Sequence, residues 1–421
     1  MTPKASPAPH VREVLLAFVA WLDRYGETSW DHQSYYAGPI GRRAKALYYR
    51  SPRLGTLAVA PMVASEAFLP AARRLFHRPM RFPIADAHYA MGFGYLYEST
   101  GEPRFFDRMA HFLDELEASR CPGYADRGWG YPFDWVTRNG TIRAQTPLIT
   151  STPYVYEAFT QAIDLRPDTR WIETADSIVR HVCTDIRDFE TSPRASTCSY
   201  TPFDQGGVVN ASAYRAGMLA LAAQRTGREA LWAIGERNLR FVLEAQNPDG
   251  SWPYAVDGER HFVDHFHTCF VMKGLAKVHR VTGDPACGAA LERGIEFYLR
   301  HLFDEDGLPR PFARAPRLTV YRRELYDCAE CINLCLLLRD RFPLLDGVLR
   351  RVVSAVLRDW VKPDGSFRSR QLLLGWDNVP MHRWAQSQMF RALALYERTE
   401  TAGKRDRAHE DVAPCVASVG S

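Results

Sequence analysis

The chain has 421 residues, of which 46% are hydrophobic and 24% are charged, so it can bury one large core or two ordinary ones. Its 53 Lys and Arg side chains are nearly balanced by 49 Asp and Glu side chains, which gives a formal net charge of +4. This balance offers no sustained basic stripe of the kind that neutralises phosphates, and it argues against nucleic acid as a partner.

The first predicted element contains an apolar stretch at residues 14–22 that could be mistaken for the hydrophobic part of a secretory signal. Acidic residues Glu13 and Asp23 flank this stretch, and no small-residue cleavage site follows it. We therefore interpret it as a helix of the folded protein. No segment reaches the roughly 18 apolar residues needed to cross a bilayer, so a cytoplasmic protein without a transmembrane segment is predicted.

One apolar template recurs six times along the chain, with hydrophobic residues at offsets 0, 4, 7, 8 and 11. Its copies span residues 11–22, 105–116, 171–182, 235–246, 291–302 and 349–360. The fourth copy is degraded, because Gly235 and Gln246 occupy two of its apolar positions. The spacing places one apolar stripe on a helix whose remaining surface is polar. We predict that these six segments are the outer helices of the fold.

Six further segments lie between these copies and are rich in Ala, Gly, Tyr and Leu on nearly all sides. They span residues 85–98, 152–163, 211–224, 267–280, 326–339 and 384–398. A helix that is apolar all round must be covered all round, as an inner ring would be inside an outer one. The sequence therefore predicts an all-α fold, an (α/α)6 toroid of six helical hairpins. It forms a single domain at residues 1–400, followed by a disordered tail at 401–421.

The links between the predicted helices alternate in length. Inner-to-outer links such as residues 283–286 are short, whereas outer-to-inner links have about 20 residues or more and carry Trp, Tyr, Asp and His. All long links therefore meet at one rim, where the inner helices begin and their free N–H groups favour anionic or hydroxyl-rich ligands. Residues 25–83 enlarge the first link with an extra helix near residues 57–75, and they form either a lid or a packing arm.

The long links and the helix starts that follow them supply candidates for acid–base chemistry. These candidates are Asp86, Asp134, Asp204, Asp264 and His267. Asp264 and His267 are close enough in sequence for the carboxylate to orient the imidazole as an acid or base. The alternative is that Asp264 only caps the fourth inner helix, beside a histidine that belongs to the core.

Candidates for substrate binding are aromatic, basic or polar residues of the same links. They are Trp129, Trp135, Asn210, Trp252, Tyr254, His265, Arg322, Arg323, Trp376, His382, Arg383 and Trp384. Flat rings can stack on sugar faces, although Trp252 and Tyr254 would serve equally well as plugs at the top of the barrel. Arginines near helix starts favour carboxylate or phosphate groups. For Asn210 the alternative role is a helix cap.

Nine cysteines with uneven spacing do not indicate a disulfide framework in a chain of this length, so we predict reduced and mostly buried thiols. Cys328, Cys331 and Cys335 share one face of a predicted helix but lack the paired knuckle typical of zinc sites. Asp327, Cys328 and His267 begin neighbouring inner helices, and a metal shared by them is the alternative. We predict no metal and no cofactor.

Six short motifs within residues 80–398 carry a resemblance to a known family. They are Trp129-Gly-Tyr-Pro-Phe-Asp134-Trp135, Tyr200-Thr-Pro-Phe-Asp204, Asp249-Gly-Ser-Trp252-Pro-Tyr254, Val263-Asp264-His265-Phe266-His267-Thr268, Glu330-Cys-Ile-Asn-Leu and Arg383-Trp384-Ala385-Gln386. The chain resembles a bacterial family of α/α toroid proteins encoded among exopolysaccharide and lipopolysaccharide biosynthesis genes. That family is similar in fold to unsaturated glucuronyl hydrolases and to the helical domains of heparinase-type lyases, which implies a sugar substrate. Where the family has Asn-Phe-His-Thr-Gly, this chain has His265 and Cys269.

We predict an enzyme of polysaccharide biosynthesis that cleaves or remodels an oligosaccharide or polysaccharide, preferably an acidic one. Hydrolysis would use two of the four aspartates. A lyase or epimerase would use His267 and a tyrosine to move a proton next to a uronate carboxylate held by Arg322 or Arg323. Two other classes stay open. One is a prenyl or terpenoid toroid enzyme, although no aspartate-rich diphosphate motif is present. The other is a non-catalytic glycan-binding scaffold.

Overall fold

The computed structural model describes residues 10–316 and 318–412, with side chains described to residue 403. Its helices in chain order are α1 (Val11–Tyr25), α2 (Ser34–Ala37), α3 (Pro39–Arg50), α4 (Pro52–Phe68), α5 (Pro83–Thr100), α6 (Pro103–Ala118), α7 (Thr152–Leu165), α8 (Thr169–Thr184), α9 (Val209–Thr226), α10 (Glu229–Glu244), α11 (His265–Thr282), α12 (Pro285–His301), α13 (Leu325–Leu338), α14 (Leu345–Ala355) and α15 (Ser387–Val412). A 3-10 helix at Pro70–Leu75 and two π-helical turns at Val356–Trp360 and His382–Gln386 complete the helical structure of the described residues.

Twelve of these helices form two concentric rings. The inner ring consists of α5, α7, α9, α11, α13 and α15, and it closes because α15 packs against α5. The outer ring consists of α1, α6, α8, α10, α12 and α14, each packed against one inner helix. All six template segments lie in the outer ring, with the last copy extending from α14 into the π-helical turn. The predicted (α/α)6 toroid is confirmed.

Inner and outer helices differ in side-chain size, because an inner helix has neighbouring helices on every side and an outer helix does not. In α6 the template residues Phe105, Met109, Phe112, Leu113 and Leu116 are buried, while the other side of the helix faces solvent. An inner helix instead has close neighbours on every side. A Cβ atom at position 92 of α5 would lie 2.6 Å from a ring carbon of α15, and one at position 94 would lie 2.7 Å from a side chain of α7. Glycine at these positions lets the inner helices approach each other.

Three inner helices end as their sequence predicts. Gly101, Gly227 and Gly283 follow α5, α9 and α11 with φ angles of +75°, +68° and +68°. This left-handed conformation is open to glycine at no steric cost, and its backbone N–H satisfies a carbonyl of the last helical turn. The short inner-to-outer links follow directly from these stops.

The long links contain nine short strands that the sequence analysis missed. They are β1 (Trp135–Thr137), β2 (Gly140–Ile142), β3 (Asp188–Ser192), β4 (Ala195–Cys198), β5 (Val263–Asp264), β6 (Phe312–Arg314), β7 (Tyr321–Glu324), β8 (Arg370–Leu372) and β9 (Trp376–Asp377). All pairings are antiparallel, in the orders β1-β2, β3-β4, β5-β6 and β7-β8-β9. Strands of two to five residues are too short to show an alternating pattern. The last two sheets join neighbouring links and fix the starts of α11 and α13.

The two Pro-Asp-Gly turns have the same structure. In each, the aspartate accepts hydrogen bonds from the backbone and hydroxyl of a serine two residues later, Asp249 with Ser251 and Asp364 with Ser366. Gly365 has a φ of +93°, and a Cβ atom there would lie 2.5 Å from the carbonyl oxygen of residue 17 in α1. The turns are therefore structural, and the second helps to close the ring onto its first helix.

The enlarged first link contains α2, α3, α4 and the 3-10 helix. The extra helix predicted at residues 57–75 instead ends at Phe68, because Pro70 interrupts the backbone hydrogen bonds and starts a 3-10 turn. Ion pairs join this insertion to other links, with Arg42 on Asp134 and the fully buried Arg73 at 2.5 Å from Asp377. The insertion thus spans from the second link to the sixth, as expected for the packing-arm alternative.

The remaining sequence predictions concern the tail, the membrane and the cysteines. Helix α15 continues to Val412, so it enters the predicted tail at 401–421, of which residues 413–421 lie outside the described residues. Among the helices that the structure describes, none has both the length and the apolar character to cross a bilayer. The eight cysteines of the described part are free thiols, and only Cys183 among them is partly exposed.

Candidate functional site

The starts of the inner helices bring together aromatic side chains from six different links or helices. We call this cluster the aromatic floor, and it consists of Tyr131, Trp135, Tyr200, Tyr254, Phe266, His267, Tyr326 and Trp384. Adjacent ring centroids lie 4.3 to 6.1 Å apart in two groups, one running from Tyr254 to Trp384 and the other from Tyr131 to Tyr200. The guanidinium carbon of Arg383 joins the groups, at 4.4 Å from the ring of Tyr131 and 4.8 Å from that of Trp384.

Asp264 and His267 form a hydrogen-bonded pair at the edge of this floor. One carboxylate oxygen of Asp264 accepts the backbone N–H of His267 at 2.9 Å, which caps α11. The other oxygen lies 2.6 Å from the Nδ1 atom of the same imidazole. The two roles considered for Asp264, helix cap and orienting group, are therefore both present in one side chain.

This contact leaves the second nitrogen of His267 available. A carboxylate only accepts hydrogen bonds, so it places the proton of a neutral imidazole on Nδ1 and the lone pair on Nε2. No described residue forms a hydrogen bond with Nε2, and the His267 side chain keeps 22% of its surface exposed while Asp264 is buried. The pair thus presents one basic nitrogen to a ligand on the aromatic floor.

A buried acid group near this pair was not among the predicted catalytic residues. Asp327 is fully buried in the first turn of α13, and neither of its oxygens has a hydrogen-bond partner among the described residues. Burial, followed by the negative charges of Glu324 and Asp264, raises the pKa of Asp327 well above its ordinary value. The spacing of Glu324, Asp327 and Glu330 along one helix is the sequence signal that could have identified it.

The alternative of a metal shared by Asp327, Cys328 and His267 finds no support in this geometry. Within the described residues, no group of three or more His, Cys, Asp or Glu side chains has an arrangement suited to a metal ion.

Two of the predicted catalytic aspartates stabilise loops instead. Asp134 forms an ion pair with Arg42 and accepts the backbone N–H of residue 144 at 3.0 Å. Asp204 accepts four hydrogen bonds from the backbone of residues 200, 201 and 206 and from the hydroxyl of Thr201, at 2.5 to 2.9 Å. Both carboxylates are occupied by the protein, because the N–H groups outside the short strands of these links have no helix or strand partner.

Asp86 lies at the start of a different inner helix from Asp264 and His267. It is buried in the first turn of α5 and accepts a hydrogen bond from Arg81 at 2.9 Å. Burial raises the pKa of Asp86 to about 7, and this effect outweighs the opposing attraction of Arg81. None of the four predicted aspartates shares a hydrogen-bond partner with another among the described residues.

Trp129 and Trp252 are not stacking platforms, contrary to the prediction. Both indoles are buried, and their Nε1 atoms donate hydrogen bonds to carbonyls near the ends of outer helices, at residue 116 for Trp129 and at residue 242 for Trp252. Each tryptophan therefore fastens its link to the preceding outer helix. By contrast, Trp135, Tyr254 and Trp384 keep part of their rings exposed on the aromatic floor.

His265 and His382 are also buried in the core. The Nε2 atom of His265 lies 2.8 Å from the hydroxyl of Tyr298 on the outer helix α12. His382 contacts the hydroxyl of Tyr89 at 2.5 Å and the carbonyl oxygen of Gly26 at 3.1 Å. Both imidazoles are fully buried, because each fills a polar gap between an inner and an outer helix.

Protonation of His382 is expected to destabilise the fold as the pH falls. Burial lowers the pKa of His382 from 6.5 to about 4. Between these values the unfolded chain binds a proton that the folded chain does not, so roughly 3 kcal/mol of unfolding free energy is lost over that window. We expect His382→Gln to flatten the dependence of unfolding free energy on pH between 7 and 4, measured by urea denaturation. Parallel curves for the variant and the wild type would contradict this assignment.

The predicted carboxylate-binding arginines of strand β7 face away from each other. Arg322 is exposed, whereas Arg323 lies 3.0 Å from Asp304 and 2.6 Å from Asp306. Neighbouring residues of a strand point to opposite faces, so the two guanidinium groups cannot clamp one ligand. Arg383, which carries charge within the aromatic floor, lies 2.7 Å from Asp31 of the insertion.

Trp376 and Asn210 complete the predicted set. Trp376 packs edge to face on Trp360, at 5.0 Å, behind the outer helix α14. Asn210 is buried in the first turn of α9, where it makes no capping hydrogen bond, and its Oδ1 atom has no partner among the described residues. The capping alternative for Asn210 is therefore wrong.

Comparison with known proteins identifies the fold but no family. No protein-family model and no curated protein matches the sequence. The chain is similar to the unsaturated glucuronyl hydrolase of Bacillus sp. GL1, responsible for the degradation of glycosaminoglycan, with 11% identity over 93% of this chain and 97% of that one and a TM-score of 0.61. The cellobiose 2-epimerase of Bacillus thermoamylovorans is 10% identical over 76% of this chain and 88% of that one, with a TM-score of 0.60. The GH76 α-mannanase of Bacteroides thetaiotaomicron is 10% identical over 78% and 88%, with a TM-score of 0.56. The shared (α/α)6 toroid thus accompanies different reactions.

Proposed function

We propose that this protein is a carbohydrate-active enzyme in which His267, oriented by Asp264, moves a proton to or from a sugar bound on the aromatic floor. The available Nε2 atom of His267 carries this proposal, because its Nδ1 partner and its partial exposure suit a general base or acid. The named reactions of the structural neighbours on this fold, sugar epimerisation, glycan hydrolysis and polysaccharide lysis, support a glycan substrate.

The composition of the floor supports a sugar ligand. Partly exposed rings of Trp135, Tyr254 and Trp384 offer flat apolar faces, on which the C–H groups of a pyranose stack. The buried Nε1 atom of Trp384 has no hydrogen-bond partner among the described residues, and it is a donor for a sugar hydroxyl. Arg383 is the cation of the floor, and because its guanidinium is already paired with the buried Asp31, it supplies positive charge to the floor rather than a free carboxylate-binding group.

The geometry favours proton transfer at carbon over hydrolysis. In an epimerase or lyase, the lone pair of His267 Nε2 removes the proton next to a carbonyl or carboxylate, and an enolate-type intermediate forms. A second group then returns a proton to the other face, or an oxygen leaves from the neighbouring carbon. Tyr254 is placed for this role, with its ring 4.7 Å from that of His267, and burial raises its pKa so that it stays protonated.

Hydrolysis is the second candidate because of one observation, the buried Asp327, whose two oxygens have no hydrogen-bond partner among the described residues. An acid of this kind could protonate a leaving glycosidic oxygen, with Asp264 as the second carboxylate. However, Asp327 is fully buried in this conformation, so the hydrolase reading requires the start of α13 to open.

The finer parts of the proposal concern cellular role. We place the enzyme in the cytoplasm and in polysaccharide biosynthesis, which is supported by the motif resemblance alone. A prenyl or terpenoid substrate is disfavoured by the charged and hydroxylated groups of the floor, among them His267, Arg383 and Tyr254.

Isotope labelling of products tests the proposed function. The purified protein is incubated with reducing disaccharides, mannan fragments and unsaturated glucuronyl disaccharides, in heavy water and separately in water enriched in oxygen-18. We expect solvent deuterium on a carbon of an epimerised product, or an unsaturated product without either label if an oxygen leaves from the neighbouring carbon, detected by NMR and mass spectrometry. Oxygen-18 at an anomeric carbon without deuterium would establish hydrolysis instead. Saturable glycan binding without either label and without an unsaturated product would identify a non-catalytic scaffold and overturn the proposal.

A further inference from the structure

The insertion presents an apolar surface to solvent. Of the sixteen large hydrophobic side chains exposed in the described part of the chain, eight lie between residues 40 and 76. They are Ile40, Tyr49, Leu54, Leu57, Phe68, Leu69, Leu75 and Phe76. We call the surface formed by these residues the insertion face. A surface that gathers half of the exposed hydrophobic side chains in less than a tenth of the sequence marks a site of interaction.

Helix α4 contributes three of these eight side chains, and it is apolar on its exposed side as well as on its buried side. Leu54, Leu57, Pro61, Ala64 and Phe68 follow one another at intervals of three and four residues, and all are exposed. The intervals place them on one stripe along a helix of 17 residues, about 25 Å long. No charged residue occurs between positions 53 and 66. A helix on the surface of a globular protein normally turns its polar face outward, so this stripe lacks a partner.

Positive charge surrounds the stripe. Residues 38–81 contain nine Arg and Lys side chains and a single acidic one, a net charge of +8, against +4 for the whole chain. The even spread of charge expected from the sequence therefore does not hold for this segment. Five of its arginines are exposed and form no ion pair with a described residue, namely Arg43, Arg50, Arg53, Arg74 and Arg78.

We propose that the insertion face docks on an anionic membrane surface. The apolar side chains of α4 enter the boundary between lipid headgroups and acyl chains, and the surrounding arginines contact lipid phosphates. A partner for this face must be apolar and negatively charged at the same time, and an anionic bilayer surface has both properties. A second copy of the chain fits less well, because a symmetric dimer through this face would bring together two sets of five exposed arginines that form no ion pair with a described residue. The proposal does not depend on the proposed function, since it uses none of its residues.

Flotation of the full-length protein with lipid vesicles tests this docking. We expect the protein to float with vesicles of phosphatidylcholine and phosphatidylglycerol but not with phosphatidylcholine alone, and to be released by added salt. Leu57→Glu and Phe68→Glu are each expected to reduce the bound fraction about tenfold or more, because a carboxylate would enter the apolar boundary beside anionic lipid. Leu374→Glu is the matched control, since Leu374 is 75% exposed and Leu57 is 73% exposed, and the control should bind like the wild type.

Three outcomes would overturn the proposal. They are absence of flotation with anionic vesicles, equal flotation with both vesicle types, and equal loss of binding in Leu374→Glu. Light scattering after gel filtration tests self-association, the remaining alternative. If the protein does not bind vesicles and forms a dimer that Leu57→Glu dissociates, the insertion face is a dimer interface. Circular dichroism and melting temperature of each variant confirm that the exposed substitutions leave the fold intact.

Discussion

Replacing His267 with asparagine is expected to lower kcat by a factor of a hundred or more on the substrate identified by isotope labelling. General acid–base groups typically contribute factors of about 10² to 10⁴, and asparagine cannot transfer the proton. The asparagine amide can still reach toward Asp264, and the His267 side chain is partly exposed. The unfolding free energy should therefore change by less than about 1 kcal/mol. Steady-state kinetics and urea denaturation measure the two effects.

A matched control lies in the same link. His261 is exposed, six residues before His267, and has no hydrogen bond among the described residues. His261→Asn should therefore leave both turnover and stability unchanged. If His267→Asn unfolds more readily but keeps its turnover, His267 is a core residue and the catalytic assignment is wrong.

Asp264 is expected to act as a positioning residue. Asp264→Asn keeps the helix cap, because asparagine caps helices as well as aspartate does. It removes the charge that fixes the tautomer and stabilises the imidazolium, so kcat should fall while KM and the melting temperature stay close to those of the wild type. A loss of stability equal to that of a cap removal would show that capping is its main role.

The fold was predictable because its signal is repeated and local. Each template helix carries its own apolar stripe, and each inner helix carries its own Ala and Gly positions, so periodicity alone identifies both rings. Helix stops such as Gly283 are likewise encoded within a few residues. The strands were missed because they pair across links. Strand β5 finds its partner at β6, about fifty residues later, and neither strand is long enough to show a pattern.

The candidate site was predictable only where its geometry is local. Asp264 and His267 are three residues apart at a helix start, so the cap and the side-chain contact follow from helical geometry. Asp134 was misassigned because its partner Arg42 lies 92 positions away in the insertion. Trp129 and His382 were misassigned because burial depends on how the two rings pack. Sequence spacing contains no information on such contacts.

A buried ion pair on the toroid axis is the second feature with a large expected effect. Lys273 of α11 lies 2.5 Å from Glu330 of α13, and both side chains are buried. Lys273 also donates a hydrogen bond to the hydroxyl of Tyr154 at 3.0 Å, which contacts Tyr214 at 2.8 Å. Burial lowers the pKa of Lys273, which shows how strongly its charge depends on a nearby partner.

Glu330→Ala is expected to reduce the unfolding free energy by about 3 to 5 kcal/mol, measured by urea denaturation at neutral pH. The variant leaves the ammonium of Lys273 buried without its counter-charge, and breaking a buried pair costs this much because the charge cannot return to water. The exposed pair of Glu296 and Arg300 has a similar distance of 2.7 Å and is the matched control. Glu296→Ala should cost less than about 1 kcal/mol.

The double variant Lys273→Met with Glu330→Leu separates charge from packing. It removes both charges and keeps most of the side-chain volume, so it should be clearly more stable than Glu330→Ala alone. If the double variant regains stability, the inner ring closes without the charges of Lys273 and Glu330, and the ion pair is not required for the fold. If the double variant is as unstable as Glu330→Ala, the cost comes from lost packing between α11 and α13, and the uncompensated charge of Lys273 is not its cause.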